Sequence, residues 1–420
     1  MATLQLAPTA ELLGQSQRGE GVDFDFAMNF SYAPARALNF LAPTIFGTPA
    51  DGSYFTQGAY FEDAVYIGLI PLISAFAAVF AWLRRRKAAL PVYRTVPFWL
   101  IIVVIGFIFA LGANTPIFPF FYRNIPTFDM FQAPVRWHLW TVFGLSVLAG
   151  IGASAWGRDF RTRRWAKRTL VGSLGALILL LVGQPFLGIG NEPLGILSRG
   201  LISVPLFITA AALLTLTQPG GGSPRYGRWV IAVLVVIAVD LGIASWGLNP
   251  TISAETLWSN TVAYERGLSP RTFRAFVDRR EEERVKFDCL FRFDDYRTDF
   301  NRCAIKLVWL PNANIYIHTP LINNFDPLLV AHFSQFYQLV GDGIPVDVAD
   351  AANIAMQYYS DGAFPLYVTN AAQARFVESA CWHSTQPDME AALVDLDISP
   401  SQIHILGDAG CPETILRQTM

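Results

Sequence analysis

The sequence predicts an α-helical multi-pass membrane bundle of six transmembrane helices followed by a C-terminal extracytoplasmic α+β domain. Three observations predict it. Hydrophobic residues make up 53% of the chain and charged residues only 15%, a balance shifted away from soluble domains. The apolar residues gather in long runs instead of recurring at core spacing. The last 173 residues lose those runs and alternate short β-rich stretches with helical ones. A net charge of -2, with no basic tract interleaved with aromatic residues, argues against nucleic acid as a partner.

The six runs are Ala64 to Leu83, Val96 to Leu111, Trp137 to Trp156, Thr169 to Leu187, Gly200 to Leu216 and Trp229 to Trp246. Each approaches the length needed to cross a hydrocarbon layer of about 30 Å, and only helices satisfy their own backbone there. The second is short, so its ends need extending. Trp137 with Trp156, and Trp229 with Trp246, bracket their runs as interfacial anchors do. Ser146, Ala149, Gly150, Gly152 and Ala153 in the third run are small enough to let helices approach closely, and Pro185 near the end of the fourth predicts a bend.

Orientation follows from the basic residues between runs. Arg84, Arg85, Arg86, Lys87 and Arg94 follow the first run, Arg158, Arg161, Arg163, Arg164, Lys167 and Arg168 the third, and Arg225 and Arg228 the fifth. The alternate loops hold Arg123, Arg136 and Arg199, so thirteen against three places the richer set in the cytoplasm. Residues 1–63, an interfacial segment, and the tail 248–420 are then both extracytoplasmic, flanking a transmembrane region at 64–247. All four cysteines, Cys289, Cys303, Cys381 and Cys411, lie in that tail, where disulfides persist. Proximity favours Cys289 with Cys303 and Cys381 with Cys411; buried unpaired thiols are the alternative. No cysteine or histidine spacing suggests a metal site.

Residues 1–63 carry no basic start, apolar core or cleavage site of a signal peptide. The first run, with its basic residues behind it, accounts for an outward N-terminus; a chain that continues a longer one, whose earlier helices did the translocating, accounts for it better. The stretches "PTAELLGQSQRG", "FSYAPARALNFLAPTIFG", "YFEDAVYIGLIPLISA", "LGANTPIFPFFYRNIPTFDMFQAPVRWHLWTVFGLSVLAGIG", "VDLGIASWGLNP" and "NNFDPLLVAHFSQF" follow one another in an order that resembles the bacterial YfhO-like membrane proteins. These are grouped with the C-type glycosyltransferases, which use polyprenyl-phosphate-linked sugars. The resemblance implies a bacterial plasma-membrane protein of the cell envelope, with membrane lipid and a polyprenyl-phosphate-linked sugar as ligands. Such proteins resemble C-type enzymes in carrying a catalytic carboxylate on their first extracytoplasmic loop. That part is absent from this sequence, so no catalytic residue is carried over, and a separate chain supplying the missing N-terminal helices is an expected partner.

Asp240 is the one carboxylate inside an apolar run. At a helix centre it would cost about 2.5–3.5 kcal/mol, so it should face other helices or a wet cavity. Two readings stand beside each other: a site carboxylate open to an outer-leaflet cavity, or a protonated or hydrogen-bonded aspartate that fixes packing. Glu62 and Asp63 at the mouth of the first run are further cavity carboxylates, or solvated charges beside a helix start. Ala113 to Arg136 has four prolines, which forbid one continuous helix, and too many aromatic residues for a solvated loop, so it should lie folded in the outer interface. Arg123 and Arg136 there are candidate lipid-phosphate contacts, or plain headgroup anchors. His138 reads as an interfacial hydrogen-bond partner. Asp23 and Asp25 match the short metal-binding DxD pattern, common by chance; a divalent metal is the one cofactor suggested, and no metal ligand is assigned.

In the tail, "VKFDCLFRF", "AIKLVWL", "NIYIHTP", "PLYVTN" and "QIHIL" read as strands, and "DPLLVAHFSQFYQLV" and "MEAALVDL" as helices. The charged "VDRREEERVKFD" reads as a solvated surface. No phosphate loop or nucleophile elbow is present. Two functions are expected in parallel: part of a polyprenyl-phosphate-sugar-dependent glycosyltransferase, or a non-catalytic membrane subunit that binds carrier lipid or a partner chain.

Overall fold

A computed structural model describes residues 2–56, 59–84, 91–154, 156, 160–186, 193–220, 222–249, 251, 274–284, 286–287, 294–297, 311–312, 320–323, 328–340, 354–359, 362–365, 379–383 and 402–406. Contacts divide the chain into two compact units, one of residues 21–250 with 293–297, the other of residues 1–20, 251–292 and 298–420.

The first unit is helical. After the short α2 (Phe24–Met28) come α3 (Leu69–Arg84), α4 (Val96–Ala110), α5 (Ile117–Asn124), α6 (His138–Ala153), α7 (Phe160–Gly183), α8 (Pro193–Thr217) and α9 (Tyr226–Ala244); α1 (Ala2–Gly14) belongs to the second unit. Among the described residues four stretches are long and apolar enough to cross a membrane: Pro91–Ala110, Arg163–Gly183, Pro193–Thr217 and Tyr226–Ala244. Each of the six predicted runs contains a helix, but α3 and α6 have only 16 residues, about 24 Å at 1.5 Å per residue.

The boundaries shift for identifiable reasons. The second run gains a 3-10 turn, Pro91–Thr95, ahead of α4, and Pro97 falls in the first turn, where its missing amide costs nothing. The basic stretch before the fourth run is itself helical from Phe160, because arginine, lysine and alanine are good helix formers. Where a bend was expected at Pro185, the α-helix stops at Gly183 and a 3-10 turn, Gln184–Phe186, follows. The first run begins its helix only at Leu69, after Gly68 turns the chain at φ +92°.

α6 packs against α3 and α4, and α7 against α8. A Cβ on Gly152 would collide with the Ser74 carbonyl of α3, and one on Gly144 would sit 2.7 Å from Val103 of α4. The close-packing positions are thus Gly144 and Gly152, with Leu148 and Ala149 buried between them, while Ser146, Gly150 and Ala153 face outward. Around them Ala75, Ala78, Tyr93, Val96, Leu148, Ala149 and Ile151 form one core cluster.

Polar ties join the remaining helices, the kind of contact that also joins helices in membrane bundles. Ser173 and Thr209 share a hydrogen bond of 2.8 Å between α7 and α8, and the Trp229 indole of α9 donates to the Leu214 carbonyl of α8 at 2.9 Å. Trp156, stacked edge-on to Trp229 at 5.5 Å, donates to Thr215 at 2.8 Å. Trp246, another expected anchor, lies past the end of α9 and is exposed.

The second unit contains strands β1 (Arg274–Val277), β2 (Ile354–Tyr359), β3 (Gly362–Pro365), β4 (Ser379–His383) and β5 (Gln402–Leu406), with helices α10 (Arg279–Glu283) and α11 (Ala331–Val340). β1 and β2 are parallel, β2 and β3 antiparallel, and β4 and β5 parallel. Strand "QIHIL" and the helix within "DPLLVAHFSQFYQLV" fall where the pattern put them; "AIKLVWL" and "MEAALVDL" lie outside the described residues. Cys289, Cys303 and Cys411 also lie outside them, and of Cys381 only the backbone, in β4, is described.

The charged run from Val277 is only in part a solvated surface: Arg279, Arg280, Glu283 and Arg284 are exposed. Asp278, Glu281, Glu282 and Lys286 are buried. Asp278 caps α10 by accepting from the amides of Arg280 and Glu281. Glu282 pairs with Lys286 and accepts from Asn323 at 2.6 Å and Tyr337 at 3.0 Å. Asn323 also bridges both backbone groups of Val277, at 2.7 and 2.9 Å. Burial, with this anionic neighbour, pushes the Tyr337 phenol well above its ordinary range. Charges that satisfy one another at short sequence spacing read as surface in one dimension, because the partners from Asn323 and Tyr337 are distant in sequence.

Candidate functional site

Four of the candidate residues, Glu62, Asp63, Arg136 and Asp240, meet along one short segment, Glu62 to Leu69, "EDAVYIGL", which leads into α3. Glu62 accepts from Arg136 Nη2 at 2.6 Å and from its Nε at 3.2 Å. Asp63 forms a buried ion pair with Arg36. Tyr66 donates to Asp240 Oδ1 at 2.7 Å, and the Leu69 amide donates to Asp240 Oδ2 at 2.9 Å. Three carboxylates singled out in the sequence are therefore all engaged here.

The start of α3 explains why Asp240 is needed. Leu72 N–H bonds to the Gly68 carbonyl at 3.0 Å, which makes Gly68 the residue that opens the helix. Glycine has no side chain to cap the first amides, and Pro71 has no amide at all, so the Leu69 amide needs an acceptor from elsewhere. Asp240 supplies it from α9, placing its negative charge at a helix N-terminus, where the dipole favours it. It is 3% exposed, and only Val233 is buried beside it among the described residues of α9.

Arg36 sits on a 3-10 helix, Pro34–Phe40. Its guanidinium also donates to Thr56 at 3.0 Å, and its carbonyl accepts from Tyr32 at 2.6 Å. Neither Arg36 nor Tyr66 was singled out in the sequence. A lone arginine in "FSYAPARALNF" was the available signal for the first; a tyrosine in "EDAVYIGL" offers none.

Ala113 to Arg136 breaks up as its prolines require. A 3-10 turn, Gly112–Asn114, precedes α5, and the turns Phe128–Met130 and Pro134–Trp137 follow it. The segment folds onto residues 22–32. Phe118 packs with Ala27 and Met28, the Tyr122 hydroxyl donates to the Val22 carbonyl at 2.5 Å, and the Asn114 side chain donates to the Tyr32 carbonyl at 3.0 Å. Thr127 and Ala133 adopt left-handed conformations, at φ 70° and 65°. Arg123 lies 5.2 Å over the Phe24 ring, a cation-π contact. Arg136 is 67% exposed while its partner Glu62 is 10% exposed, and this hydrogen-bonded partner raises the Arg136 pKa further. Among the described residues Nη1 of Arg136 has no hydrogen-bond partner, so one edge of the guanidinium stays open.

Arg136 and Asp240 thus have separate partners, and their shared feature is the segment that binds both. His138 makes no interfacial hydrogen bond: it is buried against Tyr32, Phe40 and Phe107, and neither ring nitrogen has a partner among the described residues. Asp23 accepts from the Asp25 amide and opens α2, which is an N-cap role for the "DFD" pattern. Among the described residues no three histidine, cysteine, aspartate or glutamate side chains are grouped to hold a metal ion.

The fold and these ties define a mostly helical protein with, among the described residues, four helices long and apolar enough to cross a membrane. No protein-family model, curated protein or solved structure matches the chain.

Proposed function

We propose that the chain is a YfhO-like integral membrane protein of the bacterial plasma membrane, multi-pass with both termini extracytoplasmic and its tail an α+β domain, and that it forms part of a polyprenyl-phosphate-sugar-dependent glycosyltransferase of the cell envelope. The observation that carries this reading is Arg136. Its guanidinium is held on one side by Glu62, is open on the other, and follows an aromatic segment that links two apolar helices. A fixed, half-open guanidinium suits bidentate recognition of a phosphate. Arg123, exposed on α5, supplies a second cation.

The test is sugar transfer and donor binding with a polyprenyl-phosphate-linked sugar in nanodiscs, comparing the native protein with Arg136→Gln. Arg136→Gln is expected to weaken donor binding. Equal donor affinity in both proteins would overturn the assignment of Arg136.

A second reading, a non-catalytic subunit that binds carrier lipid or a partner chain supplying further helices, is favoured by a different observation. Glu62, Asp63 and Asp240 each already hold a protein partner, which leaves none of them free as a base. Sugar transfer by the purified chain alone would exclude it.

A further inference from the structure

We propose that Ile117 to Phe131 forms a wedge that inserts its outward apolar side chains into the upper acyl region of a phospholipid bilayer. One side of this segment is used inside the protein. Phe118 is buried, Phe118 and Phe128 pack at 5.0 Å, and Phe109 of α4 meets Phe121 at 5.0 Å. Ile117, Phe120, Ile125 and Phe131 are instead all exposed, with Phe120 at 59% and Phe131 at 57%. Large apolar side chains grouped on one short segment and left uncovered mark an interaction surface.

The occupant is lipid because of where the segment is tied and what flanks it. It follows α4 after the 3-10 turn Gly112–Asn114, and the stretch Pro91–Ala110 that contains α4 is long and apolar enough to cross a membrane. The bonds from Tyr32 N to the Ala110 carbonyl, 3.0 Å, and from Val135 N to the Phe30 carbonyl, 3.3 Å, hold both ends of the segment against the strip that packs on α4. A patch fixed at the mouth of a membrane helix stays at bilayer level. Arg123 lies within the patch and Arg136 just after it, so cations accompany the apolar side chains, the pattern that matches phosphate oxygens above acyl chains. Thr127 is β-branched and left-handed, a conformation such a residue adopts only when held, and the turn that separates Ile125 from Phe131 is tied by the Val22 amide, which donates to the Asp129 carbonyl at 3.0 Å.

This inference stands apart from sugar transfer, and its test contains no polyprenyl carrier. The full chain is placed in nanodiscs of phosphatidylethanolamine and phosphatidylglycerol containing a phospholipid with a diazirine in its acyl chain. After irradiation, peptides are mapped for lipid adducts, and a parallel sample is footprinted with hydroxyl radicals. Adducts are expected on the 117–131 peptide as well as on α7 and α9, with Phe120 and Phe131 protected from oxidation. The double variant Phe120→Ser, Phe131→Ser, which changes only exposed side chains, should lose most adducts in that peptide and keep those on α7 and α9. Labelling of α7 and α9 without the 117–131 peptide, or oxidation of Phe120 and Phe131, would overturn the proposal. So would a cross-link through this segment to a second copy.

Discussion

The carboxylate of Asp240 accepts the backbone amide of Leu69 across 171 residues of sequence, and so ties α9 to the opening turn of α3. Each group answers the other's difficulty. The amide has no local cap, and the aspartate gains two hydrogen-bond donors within an apolar helix. Tyr66 completes the arrangement by occupying the second oxygen. The reading of Asp240 as a packing aspartate is the one these contacts support.

Asp240→Ala should therefore lower stability. Removing a helix cap costs about 0.5–2 kcal/mol, and losing hydrogen bonds to a charged group about 1.5–3 kcal/mol. Asp240→Asn keeps an acceptor and should recover part of the loss. Combined with Tyr66→Phe, the two changes should be non-additive by about 0.5–3 kcal/mol, because they share a bond. Thermal unfolding in detergent measures all of these. An unchanged midpoint for Asp240→Ala would remove the capping role, and additive losses would separate Tyr66 from it.

The contact of α6 with α3 predicts a contrast between two neighbouring glycines. Gly152→Ala forces the Ser74 backbone to move, and overpacking of this kind costs about 1–3 kcal/mol. Gly150→Ala meets open space, with nothing within 4 Å, and should be neutral or slightly stabilising through better helix propensity. Equal effects of the two substitutions in an unfolding assay would show that the close approach at Gly152 is not made.

In the second unit, Asn323→Ala should loosen the fold around β1. It strands the Val277 amide and carbonyl and removes one donor from buried Glu282. Each stranded buried group costs about 1–3 kcal/mol. Limited proteolysis of the tail should accelerate. An unaltered cleavage rate would mean that this network does not limit opening.

The helical character was legible because the apolar runs are long and carry their signal locally. Their ends were less legible. Residues 64–68 are as apolar as α3, yet Gly68 and the capping requirement of Leu69 delay the helix, and that requirement is met by a residue on α9. Asp240, Glu62, Asp63, Arg123 and Arg136 were visible as charges in apolar surroundings. Their partners were not, since a pair such as Glu62 and Arg136 is separated by 74 residues. The buried charges of "VDRREEERVKFD" were misread for the same reason: charge density is local, whereas the tyrosine and asparagine that permit burial come from elsewhere. Small residues in the third run were legible as close-packing ones, but the facing side of α6 was decided by which of them fell toward Ser74 and Val103.

His138 poses the clearest physical question left in the first unit. The ring is 4% exposed, lies edge-on to Tyr32 at 4.2 Å, and is 5.8 Å from Phe40 and 5.7 Å from Phe107. A neutral imidazole has one donor and one acceptor, and neither finds a partner among the described residues. Each unsatisfied group carries a desolvation cost of about 1–3 kcal/mol, whereas the ring's shape already suits an aromatic cluster that prefers edge-to-face packing. His138→Phe should thus leave the unfolding midpoint unchanged or raise it, since it removes two stranded polar atoms and adds apolar contact. His138→Ala should lower it, because the cluster then loses a ring and gains a void. If the imidazole instead holds a buried water or a ligand, His138→Phe would lower the midpoint along with His138→Ala, and the aromatic surroundings would have to be understood as the walls of a polar site.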